Sequence, residues 1–396
     1  MTFLSSLHPY PAMIANELAI ELANRYISRG DFVLDPFCGT ARTLLAAEQI
    51  GAAEVVGIDV NPLATLIARA KFAPVSCARL RRLLFAKRRA SMSTFGFERR
   101  KVSWFSNNTR RELTEIIKTV NEATWLTRGD RTLVAAVVSA TARHVSYCRN
   151  DQWKLHRISL SRRRLRVATH AIFARRLESA IQEIGTFVGR KRTKAWIIQG
   201  SCADIGKTLA TARAPRLFDV VITSPPYGDS VSTVQYGGVS SICLDVIRHL
   251  KDVLPTETDS RHIDTRCLGA SQCRSGKEPA PYWVGGVDNS KRGKVVGFLS
   301  DMERSCTQIS NVIRVGGRAI FVVGRRRTGG FRLKLDQFVA DTVKARGFAL
   351  SDIWERPLHS KRLPRLINRF GAAQKPGRGT VETMRTEYVV VLRRRK

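Results

Sequence analysis

Hydrophobic and polar positions alternate along the chain in two different periods. Short apolar runs rich in β-branched residues predict buried strands, and apolar residues spaced three to four positions apart predict helices. Near the N-terminus these patterns predict a strand at 31–35, a helix at 41–50, a second strand at 55–58 and a second helix at 61–72. Strand, helix and strand in this order predict a parallel sheet that is covered by helices.

The same alternation continues through the rest of the chain. Further strands are predicted at 196–198, 218–223, 318–323, 348–354 and 388–392, and further helices at 12–27, 240–254, 298–313 and 335–346. Gly316-Gly317 is predicted to turn the chain before a strand, and residues 255–295 are predicted to form a turn-rich excursion. Together these elements predict an α/β fold with a Rossmann-like, seven-stranded sheet.

Residues 79–195 interrupt this alternation with a different composition. From 79 to 200 the chain has 28 Lys and Arg against 8 Asp and Glu, a net charge of +20. Helical patterns recur there at 110–123, 133–146 and 162–184. We therefore predict three parts: an N-terminal part of the core at 1–78, a basic and mainly helical insertion at 79–195, and the remainder of the core at 196–396.

The whole chain is strongly basic, with 67 Lys and Arg against 33 Asp and Glu and a net charge of +34. This excess predicts a polyanionic partner. We favour nucleic acid over a membrane surface, because no apolar run approaches the roughly 18 residues of a spanning helix. Residues 1–16 contain no Lys or Arg and lack the pattern of a secretory signal, so we expect a cytoplasmic protein. The eight cysteines include no Cys-x-x-Cys pair, which predicts free thiols and no metal site.

Polar and glycine positions follow the first strands. Gly39, in the loop 35–40, lets the backbone pass close to a ligand, and Asp59 lies twenty positions later, where an acid can hold two ribose hydroxyls. Because there is no Gly-x-Gly-x-x-Gly, a nucleoside cofactor without phosphates is favoured over a dinucleotide, and S-adenosylmethionine fits that description. Asp204, after a third strand, is either an acceptor for an adenine amino group or an ordinary turn aspartate.

A stiff loop, Ser-Pro-Pro-Tyr at 224–227, ends the strand at 218–223. Two adjacent prolines cannot continue a central strand, so the loop presents carbonyl groups that the sheet cannot absorb. The Ser224 hydroxyl adds an acceptor and Tyr227 adds a flat ring, which together can hold an exocyclic amino group and stack on its base. The alternative is an ordinary strand end with a proline-rich turn.

Aromatic residues lie among the arginines of the insertion, at Trp104, Trp125, Tyr147 and Trp153. This mixture is typical of a surface that stacks bases and contacts phosphates, although aromatic side chains more often belong to a core. We predict a core position for each single ring and phosphate contact for the insertion as a whole.

These motifs resemble those of class I S-adenosylmethionine-dependent methyltransferases, and more narrowly of DNA methyltransferases that modify the N4 amino group of cytosine. In that family His8-Pro9-Tyr10-Pro11 matches the motif beside the methionine end of the cofactor, 35–40 the cofactor loop, Asp59 the ribose-binding acid and 224–227 the catalytic loop. Serine at the first loop position is typical of cytosine N4 enzymes, whereas Asp or Asn is more typical of adenine N6 enzymes. Ala41-Arg42 departs from the pattern, since the family usually has a second glycine there.

The residue patterns and the resemblance together give a set of candidate site residues. The catalytic candidates are Ser224, Pro225, Pro226 and Tyr227. The cofactor-binding candidates are His8, Tyr10, Asp35, Pro36, Phe37, Gly39, Thr40, Asp59 and Asp204.

The resemblance implies a site-specific enzyme that methylates a flipped cytosine in double-stranded DNA, with 79–195 as the target-recognition region. It also implies a restriction–modification system with a cognate restriction endonuclease for the same site, and association with the nucleoid through DNA. Two alternatives remain open. One is methylation of adenine N6 or of an amino group in RNA, and the other is a non-catalytic nucleic-acid-binding protein that keeps a methyltransferase core.

Overall fold

The fold is that of a computed structural model of the chain. It describes residues 4, 7–11, 13–86, 95–96, 102–149, 155–159, 168–186, 193–228, 236–254, 263–269, 281–328, 331–358, 366–367, 381–382 and 384–395. Trp153, the first part of the helix predicted at 162–184 and parts of the excursion at 255–295 lie outside the described residues.

Seven strands form one sheet in the described part of the chain. They are β1 (Phe32–Asp35), β2 (Glu54–Asp59), β3 (Lys194–Gln199), β4 (Phe218–Thr223), β5 (Ile313–Gly324), β6 (Phe348–Pro357) and β7 (Thr386–Arg394), in the order β3-β2-β1-β4-β5-β7-β6. Strands β1 to β5 are parallel, and β7 runs antiparallel to both β5 and β6. The predicted α/β fold with a Rossmann-like seven-stranded sheet is confirmed.

Helices cover this sheet, and the nine predicted helices are all present, with ends that differ from the predicted ones by up to nine residues. They are α1 (Asn16–Tyr26), α2 (Arg42–Ile50), α3 (Pro62–Phe72), α4 (Cys77–Leu84), α5 (Asn107–Glu122), α6 (Arg128–Val145), α7 (Thr169–Gly185), α8 (Ile205–Ala212), α9 (Tyr236–Ile247), α10 (Ile263–Arg266), α11 (Pro281–Val284), α12 (Asn289–Asn311) and α13 (Leu335–Lys344). The Asn61 side chain accepts a hydrogen bond from the Leu63 N–H and Pro62 opens the first turn, so α3 begins where the sequence predicts.

The strand order reverses beside β1, which lies between β2 and β4. In open α/β sheets, ligands bind at this switch point, outside the carboxyl ends of the strands. Asp35, Asp59 and Thr223 are the last residues of β1, β2 and β4. The residues that the sequence singled out after these strands therefore lie at one edge of the sheet.

Helices α4 to α7 come from the basic insertion, but they do not form a separate core. Their apolar side chains join those of α3 and α9 in one buried cluster, and α6 packs against α3, α7 and α9. Helix α6 is buried continuously from Leu133 to Arg143. Residue 78 lies inside α4 and residue 195 inside β3, so the predicted boundaries of the insertion cut through two elements.

Two predictions about individual elements were wrong. Gly316-Gly317 lies inside β5 and does not form a turn. A Cβ on Gly317 would lie 2.8 Å from the carbonyl oxygen of Asp219, so the glycine is needed where β5 closely approaches β4. The helix predicted at 298–313 begins earlier, at Asn289, because the Asp288 side chain caps it by accepting from the Ser290 N–H.

No described helix is long and apolar enough to cross a membrane. The described residues include no group of three or more His, Cys, Asp and Glu side chains that could hold a metal ion. The seven cysteines within the described ranges are free thiols.

Candidate active site

A pocket opens at the carboxyl ends of β1 to β4, where the strand order reverses. The predicted site residues that line it are Tyr10, Pro36, Phe37, Gly39, Asp59, Ser224 and Pro226. An adjoining pocket shares Tyr10, Phe37, Gly39 and Ser224 with it and adds Asp35 and Thr40. The fold thus brings the loop after β1 and the Ser-Pro-Pro-Tyr loop after β4 to one cavity.

Asp59 ends β2 and reaches back into the loop between β1 and α2. Its carboxylate accepts hydrogen bonds from the N–H of Gly39 at 2.9 Å and from the N–H of Asn61 at 2.8 Å. Burial raises the pKa of Asp59 to about 6, although both of these donors act to lower it. A carboxylate has about four lone-pair positions, so two bonds leave acceptors for ribose hydroxyls at the pocket wall.

Asp35 ends β1 and joins it to β4. Its buried carboxylate accepts hydrogen bonds from the hydroxyls of Thr43 and Thr223 and from the N–H of Phe37, the last at 3.1 Å. Burial raises the pKa of Asp35 to about 6 against the effect of these bonds. Because Thr223 directly precedes Ser224, Asp35 fixes the point where the Ser-Pro-Pro-Tyr loop leaves the sheet.

The loop between β1 and α2 contains two residues with a left-handed backbone. Gly39 has φ +49°, and a Cβ there would meet no atom within 4 Å, so open space lies above it. Ala41, where the resembled family usually has glycine, has φ +65° and is fully buried. The Lys71 ammonium donates to the Thr40 carbonyl oxygen at 2.8 Å and holds the loop from behind.

Tyr10, one of the cofactor-binding candidates, lies on the pocket wall. Its hydroxyl accepts a hydrogen bond from the Asn61 side chain at 2.9 Å. Its ring stacks on Tyr236, with 6.2 Å between ring centroids and 28° between ring planes. The N-terminal segment therefore closes one side of the pocket with an aromatic surface.

His8 does not line either pocket, in contrast to the prediction. Its Nδ1–H donates to the Pro9 carbonyl oxygen at 2.6 Å, and the Ser139 hydroxyl of α6 donates to its Nε2 at 2.9 Å. Burial lowers the pKa of His8 to about 3, which keeps the imidazole neutral. The structure thus places His8 as an anchor between the N-terminal segment and the insertion.

The Ser-Pro-Pro-Tyr loop divides its residues between the pocket and the interior. Ser224 and Pro226 line the pocket, whereas Pro225 is buried and Tyr227 is half-buried. The Ser224 Oγ lies 3.2 Å from the Tyr227 hydroxyl oxygen. The Tyr227 hydroxyl in turn donates to Glu387 Oε1 at 3.0 Å, so the loop is tied to β7 on the far side of β5.

Asp204 lies outside the pocket. Strand β3 ends at Gln199, and the chain then turns through Gly200 and Ser201 into a short helix that ends at Asp204. The Asp204 carboxylate is exposed and pairs with the Arg304 guanidinium at 2.9 Å. Of the two alternatives, the structure therefore favours an ordinary turn aspartate, and Gly200, Ser201 and Cys202 line the pocket in its place.

Other pocket residues that were not predicted from the sequence include Asn61, Tyr236, Arg266 and Cys267. Asn61 was predicted only as a helix start, but its side-chain amide also bridges Tyr10 and the Ser240 hydroxyl. Tyr236 opens α9 four residues before the predicted start at 240. Arg266 and Cys267 belong to the turn-rich excursion, where no hydrophobic periodicity indicates which side chains face inward.

The pocket residues fit a nucleoside cofactor without phosphates. The open space above Gly39 lets a ligand approach the backbone, and the remaining acceptors of Asp59 suit two vicinal hydroxyls. Aromatic and apolar side chains, including Phe37 and Leu268, supply surfaces against which a base can lie.

Comparison with known proteins shows similarity over nearly the whole chain. Type II methyltransferase M.MvaI of Kocuria varians is 26% identical over an alignment of 428 residues, which covers 98% of this chain and 90% of that protein. Type II methyltransferase M.MjaII of Methanocaldococcus jannaschii is 31% identical over 78 residues, 20% of this chain and 14% of that protein. No family model matches the chain.

Among solved structures, the rRNA methyltransferase aviRa from Streptomyces viridochromogenes superposes on this chain with a TM-score of 0.36 and 11% identity, over 98% of this chain and 88% of that chain. The sheet order, the two loops that meet at the switch point and the full-length similarity to M.MvaI are independent observations. Together they support a methyltransferase with a Rossmann-like fold.

Proposed function

We propose that the chain is a site-specific DNA methyltransferase that transfers the methyl group of S-adenosylmethionine to the N4 amino group of cytosine. The observation that carries the proposal is that Ser224 and Asp59 line the same pocket. The pocket thus combines a hydrogen-bond acceptor on a stiff loop with a carboxylate suited to a ribose. The similarity to M.MvaI supports methyl transfer, and the net charge of +34 supports a polyanionic substrate.

S-adenosylmethionine, when bound, supplies an electrophilic methyl group on its sulfonium. In this proposal Asp59 holds the ribose hydroxyls, Gly39 gives the cofactor room beside the backbone, and Tyr10 and Phe37 form the walls. Asp35 acts indirectly, because its bonds to Thr223 and the Phe37 N–H set the distance between the two loops.

The loop must make the amino nitrogen of cytosine more nucleophilic. The cytosine amino nitrogen is a poor nucleophile because its lone pair is delocalised into the ring. The Ser224 hydroxyl and the Pro225 carbonyl accept the two amino hydrogens and turn the nitrogen toward sp³ geometry, with its lone pair facing the methyl donor. Transfer then depends mainly on positioning. No strong base is needed beforehand, because the amine becomes acidic as it is methylated and then releases one proton to water.

The target base must leave the duplex to reach this pocket. Flipping costs a few kcal/mol, which stacking and phosphate contacts offset. The insertion offers paired arginine and tryptophan side chains for such contacts: Arg82 lies 4.1 Å from the Trp125 ring centroid and Arg157 lies 4.6 Å from that of Trp104. Both rings are half-buried and both arginines are exposed, so the positive charge faces outward.

Nucleoside analysis tests the proposed reaction. DNA incubated with the protein and S-adenosylmethionine is expected to contain N4-methylcytosine, measured by mass spectrometry of its nucleosides. Ser224→Ala removes the acceptor and should lower kcat by about 100-fold or more, the usual effect of losing one transition-state hydrogen bond. Ser241→Ala is a matched control, since the Ser241 hydroxyl only donates to the Gly238 carbonyl within α9.

Other outcomes decide between the alternatives. N6-methyladenine, or a product in RNA alone, would replace cytosine N4 as the target. Cofactor binding without methyl transfer to DNA or RNA would establish the non-catalytic alternative. A Ser224→Ala protein as fast as the parent would remove Ser224 from the mechanism.

We further propose a restriction–modification role, in the cytoplasm and associated with the nucleoid through DNA. A cognate restriction endonuclease would then recognise the same sequence. Mapping the methylated positions gives that sequence, and an endonuclease that cuts it should fail on DNA methylated by this protein.

A further inference from the structure

We propose that Glu387 and Arg356 are positioning residues that act through Tyr227 to hold the Ser224 hydroxyl as a hydrogen-bond acceptor for the substrate amine. This inference rests on the proposed function of the Ser-Pro-Pro-Tyr loop. It assigns a role to two charged residues on β7 and β6, far from the loop in sequence.

An ion pair and two hydrogen bonds link Arg356 to Ser224 through Glu387 and Tyr227. The Arg356 Nη1 lies 3.1 Å from Glu387 Oε2, and the two residues are direct partners in the β6–β7 pairing. The other carboxylate oxygen, Oε1, accepts from the Tyr227 hydroxyl at 3.0 Å. The Tyr227 hydroxyl oxygen lies 3.2 Å from Ser224 Oγ, which lines the pocket. Each oxygen of the Glu387 carboxylate thus has a different partner.

The directions of these hydrogen bonds follow from counting protons. A carboxylate can only accept, so the single hydroxyl proton of Tyr227 must point to Glu387. The Tyr227 oxygen can then only accept from Ser224, and the Ser224 proton must point to Tyr227. Both lone pairs of Ser224 Oγ are left for a donor in the pocket, which is what an amino group requires.

Packing around Tyr227 supports this orientation. Glu387 is only 15% exposed, and Arg356 balances its charge. Gly324 lies against the ring, since a Cβ there would come within 2.7 Å of Tyr227 Cδ2. Burial and the neighbouring Glu387 raise the pKa of Tyr227 well above its usual value, so the phenol keeps the proton that sets the direction.

This arrangement explains why the loop has a tyrosine rather than a phenylalanine at position 227. A phenylalanine at 227 would stack on a base as well as a tyrosine does, but it could not accept from Ser224. Without that acceptor the serine proton is free to point at the substrate amine, where a donor would face a donor. The Tyr227 hydroxyl therefore has a task separate from that of its ring.

Glu387→Gln tests the direction of these hydrogen bonds, because glutamine has nearly the same shape as glutamate. Arg356 will engage the amide oxygen, which leaves the amide NH₂ to donate to Tyr227 and turns the phenol proton toward Ser224. We expect kcat to fall about 10- to 100-fold, the range found when an outer partner no longer orients a functional group, with the KM for DNA and S-adenosylmethionine unchanged. Glu355→Gln is the matched control, since Glu355 is an exposed carboxylate beside Arg356 on β6.

A second variant separates orientation from structural damage. Tyr227→Phe should lower kcat by a similar factor. Glu387→Gln added to Tyr227→Phe should have no further effect, because the hydrogen-bond link between Glu387 and Ser224 is already lost. Independent, multiplying effects of the two changes, or a Glu387→Gln protein with the parental kcat, would overturn the proposal.

A spectroscopic readout makes the test independent of turnover. The ¹³Cζ resonance of Tyr227, assigned by its loss in Tyr227→Phe, should report ionisation at a lower pH in Glu387→Gln than in the parent. Equal ionisation in both proteins would refute the Glu387 contact whatever the activity. If the parent methylates no nucleic acid, the proposed function fails, while this titration still decides whether Glu387 holds the phenol.

Discussion

At the scale of the residue, the two carboxylates at the strand tips, Asp35 and Asp59, each do two things. Asp59 fixes the loop after β1 through the Gly39 N–H and still presents acceptors to the pocket. Asp35 joins β1 to β4 through Thr223 and thereby sets the start of the Ser-Pro-Pro-Tyr loop. In both cases burial raises the pKa to about 6, so both groups change charge close to neutral pH.

The raised pKa of Asp59 predicts a pH-dependent cofactor affinity. The carboxyl group loses its proton as pH rises through about 6, and only the ionised form offers acceptors to both ribose hydroxyls. We expect calorimetry to give a Kd for S-adenosylmethionine that falls as pH rises from about 5 to about 7. Asp59→Asn should weaken binding about 10- to 100-fold at neutral pH and lose most of this dependence, since hydrogen bonds to a charged group contribute about 1.5–3 kcal/mol.

Asp204→Asn is the matched control for that experiment, because Asp204 is exposed and pairs with Arg304 outside the pocket. It should leave both the Kd and its pH dependence unchanged. Parental affinity in Asp59→Asn, or a loss as large in Asp204→Asn, would contradict the assignment of Asp59.

Sequence patterns predicted the placement of those residues whose position after a strand alone brings them to the pocket. Ser224 directly follows β4, Asp59 ends β2 and Gly39 lies in the loop after β1, so their presence at the pocket edge follows from the sheet. His8 and Asp204 were assigned differently because a pattern does not give the direction of a side chain. Glu387 was missed because its contact with Tyr227 spans 160 residues, and nothing in a strand sequence indicates such a partner.

At the scale of the element, the loop after β1 meets α2 in a conformation that is unusual for its sequence. Ala41 is the N-cap of α2, has φ +65° and offers no side-chain acceptor to the first turn. A non-glycine residue with a left-handed backbone costs about 1–2 kcal/mol. The buried Ala41 methyl group offsets part of this strain by packing beneath the sheet.

Two glycine substitutions measure this balance. Ala41→Gly should change the free energy of unfolding by less than about 1 kcal/mol, because relief of the backbone strain opposes the loss of a buried methyl group and the greater chain entropy of glycine. Ala46→Gly, at a buried position inside α2, has no strain to relieve and should cost about 2 kcal/mol. Urea denaturation gives both values, and equal losses would show that Ala41 is not strained.

Elements were predicted well where the sequence marks their ends. Gly51 ends α2 with φ +92°, and Asn61-Pro62 starts α3, so both bounds followed from local chemistry. A turn was wrongly predicted at Gly316-Gly317, because glycine occurs where two backbones approach closely as well as in turns. Helix α4 was not predicted because arginines occupy most of its surface, and its two buried leucines are too few to show a period.

At the scale of the whole molecule, the insertion is basic on its surface and part of the common core underneath. Its helices share buried contacts with α3 and α9, and Ser139 of α6 holds His8. Removing 79–195 would therefore expose this core rather than detach a recognition module. Its contribution to DNA binding is better tested by changing exposed charges.

Neutralising two exposed arginines of the insertion tests phosphate contact. Arg82→Gln with Arg157→Gln should weaken DNA binding and make the slope of log K against log salt concentration less steep by about 2, because each phosphate contact releases about one counterion. Arg29→Gln is the control, since Arg29 is exposed in the connection from α1 to the amino end of β1, away from the pocket edge. Fluorescence anisotropy at several salt concentrations gives the slopes, and an unchanged slope in the double variant would contradict a DNA-binding role for this face.

The antiparallel strand β7 lies between β5 and β6, although it follows both along the chain. During synthesis the sheet therefore stays open at β5 until 386–394 have emerged, and β6 has no edge to pair with. At about 5–20 residues per second, the 160 residues between Tyr227 and Glu387 take roughly 8 to 32 seconds. The nascent chain can assemble its cofactor pocket during that interval, but its serine acquires a fixed orientation only with the last strand, so full activity begins with completion of the sheet.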